Sequence, residues 1–316
     1  MTTVTLSRAP RDAQVKPVAT DLALLLMVGI WAVNFSVAKL GLNALSPLAF
    51  NALRFPLAAL VVLTALRFRG PLPLPLPRDR LRLVMLGLLG NVLYQQFFIF
   101  GLDRTRAGTA SLLLAGTPML TALLSAAVGH ERVGWRSWMG AGATIGGMAL
   151  IVGSVAGAGG STLSGDLLMI LASVAWAGYT VGSRPLVEHY GAISVTAWTL
   201  CIGAAGVVLV GIPDLARADL AALTVGTWLS VVYAGALSIG VAYLIWYHGV
   251  RQIGNTRTAV YSNLVPVVAL AVAWAWLGET PSLRQVIGAL VIIGGVTLAQ
   301  ARRDIARVTY EGVVRS

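Results

Sequence analysis

Arg54 has the clearest chemical potential in this 316-residue chain, because it stands inside an apolar stretch that contains no acidic residue. A guanidinium in such a place can grip the carboxylate of a small molecule or act as one partner of a gate. The competing reading is a side chain that snorkels to a nearby interface or bonds carbonyls near a helix end. Other polar and aromatic residues sit mid-stretch at helical spacing. Trp31 and Asn34 are three apart, as are Trp176 and Tyr179, so each pair shares a helix face. Asn91 and Gln95 are four apart, with Tyr94 and Gln96 beside them, and Tyr243, Trp246, Tyr261 and Asn263 follow in later stretches. Amides and phenols supply donors and acceptors, and indoles supply flat walls that bind apolar groups or cations. Such residues can bind a small amphipathic molecule. They can also be interfacial belt residues, as Trp274 and Trp276 are expected to be, or polar glue between helices. Pro118 and Pro266 each remove a helical hydrogen bond and act either as hinges or as static kinks.

Catalysis finds no support. The chain has no mid-stretch Ser/His/Asp set, no Cys/His spacing for a metal and no phosphate-cradling loop, so neither an enzyme nor a cofactor or metal site is expected. Asp21, Asp103, Glu131, Asp166 and Glu279, and the three histidines, fall at the ends of stretches or in loops. Glu131 and Glu279 read as structural residues at helix ends. The interior is close to neutral, which favours a zwitterionic or weakly polar ligand. It also leaves proton coupling without an evident carrier.

The elements that position these residues are apolar and about twenty residues long. The composition is 57% hydrophobic and 11% charged, with mean hydropathy +0.80, whereas soluble domains carry about 25% charged residues. Ten candidate spans lie near 21–40, 47–67, 82–102, 107–128, 135–154, 165–184, 191–211, 225–247, 256–277 and 283–301. The alternating prolines of Pro71–Pro77 form a linker, and the Gly/Ser/Ala-rich run 153–165 joins two halves. Cys201 is alone, so no intramolecular disulfide forms.

The two halves echo one another. At an offset of 148, Gly101 meets Gly249, Gln95 meets Tyr243, Phe98 meets Trp246, Pro118 meets Pro266 and Glu131 meets Glu279. Arg136 meets Arg284, Gly140 meets Gly288, and Ile145-Gly146-Gly147 meets Ile293-Gly294-Gly295; an offset of 145 pairs Asp21 with Asp166 and Trp31 with Trp176. Five spans per unit is an odd number, so the second copy is expected upside down relative to the first, a pattern typical of secondary transporters. Gly142 and Gly146 form a GxxxG, and Gly295 and Ala299 a second small pair, for which close helix packing is expected.

Charge sets the expected orientation. With the N-terminus inside, 17 of the 23 basic residues fall in inside segments and 5 outside, with Arg54 within a span. Both termini are therefore predicted to be cytoplasmic. The net charge of +11 is spread over short loops, which argues for topology control and against nucleic-acid binding. Only Lys16 and Lys39 are lysines, which fits a GC-rich bacterial source, and the first stretch reads as an uncleaved span.

The motifs Trp31-Ala32-Val33-Asn34-Phe35, Ser46-Pro47, Arg54-Phe55, Thr117-Pro118, Glu131-Arg132, Tyr261–Pro266 and Leu277-Gly278-Glu279-Thr280 together resemble the EamA type of the drug/metabolite transporter superfamily, across nearly the whole chain. The resemblance implies a ten-span exporter of small metabolites, often amino acids, with a central cavity lined by spans one, three, four, six, eight and nine. The expectation is thus an all-α integral membrane protein of ten helices in two inverted five-helix repeats. Its divisions are a cytoplasmic tail 1–19, a repeat 20–154, a linker 155–164, a repeat 165–301 and a tail 302–316. It would sit in the bacterial inner membrane, with the lipid bilayer and a small-molecule substrate as partners and a homodimer as a candidate assembly. Export of aromatic amino acids or drug-like compounds is the alternative within transport; a non-transporting scaffold or sensor is the alternative outside it.

Overall fold

The structure, a computed structural model, describes residues 17–68, 72, 74–129, 134–152 and 162–300. Glu131, both outer tails (1–16 and 302–316) and residues 155–161 of the joining segment lie outside the described residues. Among the described residues the regular elements are all helical. Besides a 3₁₀ turn at Leu220–Ala222 they are α1 (Pro17–Leu42), α2 (Pro47–Arg67), α3 (Pro77–Arg104), α4 (Ala107–Ala127), α5 (Trp135–Ile151), α6 (Leu163–Tyr190), α7 (Ala192–Arg217), α8 (Val225–Ile253), α9 (Arg257–Leu277, with one preceding turn from Asn255) and α10 (Leu283–Gln300). α1 begins at Pro17, ahead of the expected end of the N-terminal tail. Eight of these, α1–α4 and α6–α9, are long and apolar enough to cross a membrane, and α5 is shorter at 17 residues.

Local sequence explains the starts and breaks. Ser46 accepts a bond from the backbone N–H of Ala49 (3.3 Å) ahead of Pro47, Thr162 does so from Gly165 (3.1 Å), and Thr224 from Thr227 (3.2 Å). α4 is interrupted at Ala115–Gly116, just before Pro118, and α9 at Asn263–Leu264, just before Pro266. Each proline takes the second position of the segment that follows, where its missing N–H is not needed. Thr117 Oγ1 donates to the Leu114 carbonyl at 2.6 Å, satisfying one acceptor at the α4 break.

The burial pattern is that of a protein whose solvent is lipid. Asn51, Thr199 and Ser173 are fully buried, whereas Leu60, Leu209 and Leu290 are each more than 60% exposed. Trp274 and Trp276 are exposed near the end of α9, as the belt reading expects.

Packing runs in matched pairs. α1 lies on α8 and α9, and α6 lies on α3 and α4; α2 packs on α8, and α7 on α3. α2 packs on α7, α4 on α9 and α5 on α10. Adding or subtracting five from every label returns the same set. Glycines make the α5–α10 pair close enough for backbone contact. A Cβ on Gly147 would lie 2.8 Å from the Gly288 carbonyl oxygen, and one on Gly295 would lie 2.7 Å from that of Gly140. Those two contacts interchange under the 148-residue offset. The expected GxxxG of Gly142 and Gly146 is corrected here. Both residues are exposed and a Cβ on either would meet nothing within 4 Å, because the helix turns Gly140, Thr144, Gly147 and Ile151 towards α10 instead.

Candidate functional site

Two π-helical segments mark the middle of the protein. α3 widens at Leu88–Leu93 and α8 at Tyr233–Val241, and the second covers the positions equivalent to the first. A π segment inserts residues into the helical ladder, rotates the side chains that follow, and recurs at functional sites. Small residues let neighbours approach it. A Cβ on Gly90 would sit 2.4 Å from the Tyr179 ring, and one on Gly235 would sit 2.3 Å from the Arg54 carbonyl oxygen.

Immediately after the π segments stand Tyr94, Gln95 and Phe98 on α3, and Tyr243 and Trp246 on α8. Together with Trp31 on α1 and Trp176 and Tyr179 on α6 they form one aromatic cluster. Trp176 lies 4.9 Å from Tyr94, 5.2 Å from Tyr179 and 6.4 Å from Tyr243, measured between ring centroids. Trp31 lies 6.2 Å from Tyr243 in an edge-on arrangement and 5.8 Å from Trp246. Tyr94 continues to Phe98 at 6.1 Å, and Phe98 to Phe35 at 5.9 Å. Seven of the residues expected to bind a ligand are thus brought together from four helices. Edge-on and tilted contacts of this kind add about 0.5–1.5 kcal/mol each beyond burial.

Hydrogen bonds fix the cluster. Trp31 Nε1 donates to the Ser238 carbonyl, inside the second π segment, at 2.9 Å. Tyr179 and Thr199 share a hydroxyl bond of 3.0 Å, Tyr247 bonds Thr196, and Asn91 donates to the Thr199 carbonyl at 3.1 Å. Tyr233, at the start of the same π segment, donates to the Ile30 carbonyl at 3.1 Å.

Arg54 does not snorkel. It is 1% exposed, donating from Nε to Asn51 Oδ1 (2.9 Å) and from Nη2 to Gln95 Oε1 (2.7 Å). Asn51 in turn donates to the Gln95 carbonyl at 3.2 Å. The guanidinium carbon lies 5.3, 5.7 and 5.6 Å from the ring centroids of Phe50, Phe55 and Phe98. Through Gln95 and Phe98 it is continuous with the aromatic cluster.

Several buried polar atoms have no partner among the described residues: Asn34 Oδ1, Ser36 Oγ, both amide atoms of Gln96 and, on α5, Thr144 Oγ1. Unpaired polar atoms are rare in a buried setting and call for an explanation. Asn34 is one helical turn from Trp31.

Other expected residues lie elsewhere. The Tyr261 hydroxyl is taken by Asp21, to which it donates at 2.7 Å. Asp21 is ten residues before Trp31, about 15 Å along α1. Asn263 sits at the α9 break, next to Pro266, with Pro118 in the matching place on α4. Residues that sequence reasoning passed over include Asn51, three before Arg54 on the same face, and Thr196, Thr199 and Tyr247; Asn51 meets Thr196 at the offset of 145, whereas Ile99 stands where the counterpart of Tyr247 would be.

At one end of the bundle the helices are tied by polar contacts. Lys39 Nζ donates to the carbonyls of Leu102, Asp103 and Thr105 at 2.7–2.8 Å, and Thr105 donates to Asp166 at 2.5 Å. Glu279 reaches across from the end of α9 and accepts from the backbone N–H groups of Ala107 and Gly108, both at 2.9 Å, capping α4. Gly278, in the left-handed region at φ +67°, makes the turn that allows this. Gln285 donates to Thr109 at 2.8 Å. Residues 107–113 of α4 are all buried, whereas residues 257–263 of α9, the counterparts of 109–115, are mostly exposed or half-buried.

Comparison with known proteins places this geometry in a family. The profile of the EamA-like transporter family matches residues 18–153 and again 163–300. The "Uncharacterized transporter YyaM" of Bacillus subtilis (strain 168) is 30% identical over 272 residues, covering 84% of this chain and 88% of that protein. The "Probable terminal-alkyne amino-acid exporter" of Streptantibioticus cattleyicolor is 30% identical over 282 residues, covering 89% and 93%. The "Probable amino-acid metabolite efflux pump" of Salmonella typhimurium (strain LT2) is 30% identical over 284 residues, covering 86% and 91%. A solved crystal structure shares the fold, with a TM-score of 0.62 at 22% identity over 89% of this chain and 98% of the other.

Proposed function

The chain belongs to the EamA-like transporter family and is a multi-pass membrane protein; from that premise we propose that it exports small amphipathic metabolites, amino acids first among them. The single observation that carries the reading is the central cluster. Aromatic rings from α1, α3, α6 and α8 and a buried guanidinium meet just beyond two π segments at equivalent places in the chain. A scaffold has no use for such a lining. Trp31, Asn34, Tyr94, Gln95, Trp176, Tyr179, Tyr243 and Trp246 are the proposed contacts, with Tyr261 and Asn263 beyond them and Pro118 and Pro266 as hinges.

The mechanism we propose is alternating access between two inverted five-helix halves, ten spans in all, with both termini in the cytoplasm of a bacterial inner-membrane protein. The exchange of packing partners between α1–α5 and α6–α10, and the interchanging contacts Gly147–Gly288 and Gly295–Gly140, support the two-fold relation. The unequal burial of α4 and α9 supports a state sealed at the α4 end. In the opposite state the burial of α4 and α9 would be reversed. One relative named a probable terminal-alkyne amino-acid exporter and another named a probable amino-acid metabolite efflux pump support the substrate class. The density of rings favours aromatic amino acids within it.

Reconstituted proteoliposomes preloaded with single unlabelled amino acids test this by counterflow of labelled ones. Exchange with one or a few amino acids, strongest for aromatic ones, is expected. Folded protein that exchanges none of them and gains no thermal stability from any sinks the reading.

A further inference from the structure

We propose that Arg54 selects for a carboxylate on the transported molecule: the acid is the recognised form, and the corresponding amide or amine is not. The inference rests on the transport reading above and concerns the same site. The guanidinium is 1% exposed, yet both of its hydrogen-bond acceptors are neutral amide oxygens, those of Asn51 and Gln95. Among the described residues no carboxylate pairs with it. The ion pairs Arg78–Asp79 and Arg184–Glu188 use exposed arginines near helix ends. Burying an ion without a countercharge is expensive, and proteins normally avoid it by pairing. Three phenylalanine faces and two amides lessen that cost without removing it.

A guanidinium has five N–H donors in a planar fork suited to a carboxylate. Nε and Nη2 each make one bond, which leaves three N–H groups with no acceptor among the described residues. The group is also held in place before any ligand arrives. Asn51 and Arg54 are bonded on one face of α2, and Asn51 and Arg54 both reach Gln95 on α3. Gln95 directly follows Tyr94, which stacks towards Trp176, so the fixed positive end adjoins the aromatic wall. An aromatic or aliphatic amino acid matches this layout. Its carboxylate supplies the missing countercharge and its side chain meets the rings.

The test uses matched ligands that differ only at the acid: tryptophan against tryptophanamide, and leucine against leucinamide. Affinities come from competition in counterflow and from ligand-induced thermal stabilisation of the purified full chain. The wild type should prefer acid over amide by about ten- to hundredfold, the range for losing a charge-assisted contact. Arg54→Gln should bring that ratio close to one. Because Arg54→Gln removes a buried tie between α2 and α3, a second variant keeps the cation. Gln95→Glu places an internal carboxylate beside it and should erase the acid preference while preserving the fold. A purely structural Arg54 would alter stability and leave the acid-to-amide ratio alone. A wild type that moves amides as well as acids, or folded Arg54→Gln and Gln95→Glu proteins that keep the wild-type ratio, overturns the proposal and leaves transport standing. Absence of flux and stabilisation with every ligand overturns the transport reading itself.

Discussion

Removing the carboxylate of Glu279 should loosen the sealed end of the bundle, by an amount the geometry sets. Its two oxygens each accept one backbone N–H at 2.9 Å, from Ala107 and Gly108, in a half-buried site. Net contributions of hydrogen bonds to charged groups run at about 1.5–3 kcal/mol. Partial exposure argues for the low end, so the pair contributes about 3 kcal/mol. Glu279→Ala loses both bonds and leaves two donors at the start of a buried helix. Glu279→Gln keeps one acceptor oxygen and turns an NH2 towards the second donor, so it should lose about half as much, ~1.5 kcal/mol. For a chain of this size the alanine variant should melt about 5–10 °C below wild type, with glutamine between them. The assay is thermal unfolding in detergent, followed by labelling of a cysteine placed at Thr109, which is fully buried beneath this contact. Labelling of that cysteine should speed up in the order wild type, Gln, Ala. An alanine variant with unchanged melting and an unlabelled cysteine would show that Glu279 holds nothing, and the assignment of a sealed end would fall with it.

Three further outcomes are expected. Gly147→Leu and Gly288→Leu should prevent stable folding, because each forces a side chain into a backbone that lies 2.8 Å from the glycine's Cβ position, whereas Gly142→Leu and Gly146→Leu should fold at least as stably as wild type, measured by thermal unfolding. Gly90→Ala should push the Tyr179 ring aside, at about 1–3 kcal/mol, and weaken ligand binding measured by thermal shift more than a surface substitution of equal destabilisation does. Lys39→Met should lower melting by several degrees without altering substrate preference in counterflow, since its ammonium donates to the Leu102, Asp103 and Thr105 carbonyls at the end of the bundle, away from the aromatic cluster.

Much of the scaffold was legible because the bilayer reduces secondary structure to one choice. Apolar stretches of about twenty residues must be helices, and the turn before Pro118 or Pro266 must break. The repeat was legible as well, since Gly140 and Gly147 recur as Gly288 and Gly295 at the spacing the α5–α10 contact uses. The same glycine-rich helix misled the GxxxG reading. Periodicity places Gly142 and Gly146 on one face but does not say which face meets a neighbour. The site was half legible. Trp31, Trp176, Tyr94 and Tyr243 are conspicuous because large polar aromatics are costly to bury without purpose. The π segments left no mark in the sequence, and by rotating the residues after them they decide that Gln95 faces Arg54. Asn51 was visible only as an i, i+3 neighbour of Arg54, a spacing that also occurs by chance. Tyr261 looked equivalent to the others until its hydroxyl proved to be bonded to Asp21, a contact between residues 240 positions apart.

The most direct check of the central claim is counterflow of labelled tryptophan into proteoliposomes that contain wild-type protein or Trp176→Ala at matched, folded reconstitution. Trp176 touches Tyr94, Tyr179 and Tyr243, so it stands at the centre of the cluster. The account predicts exchange by the wild type and a loss of about tenfold or more in the variant, the size expected for removing one aromatic wall. Equal exchange by the two proteins would contradict it and move the transport path away from the aromatic centre.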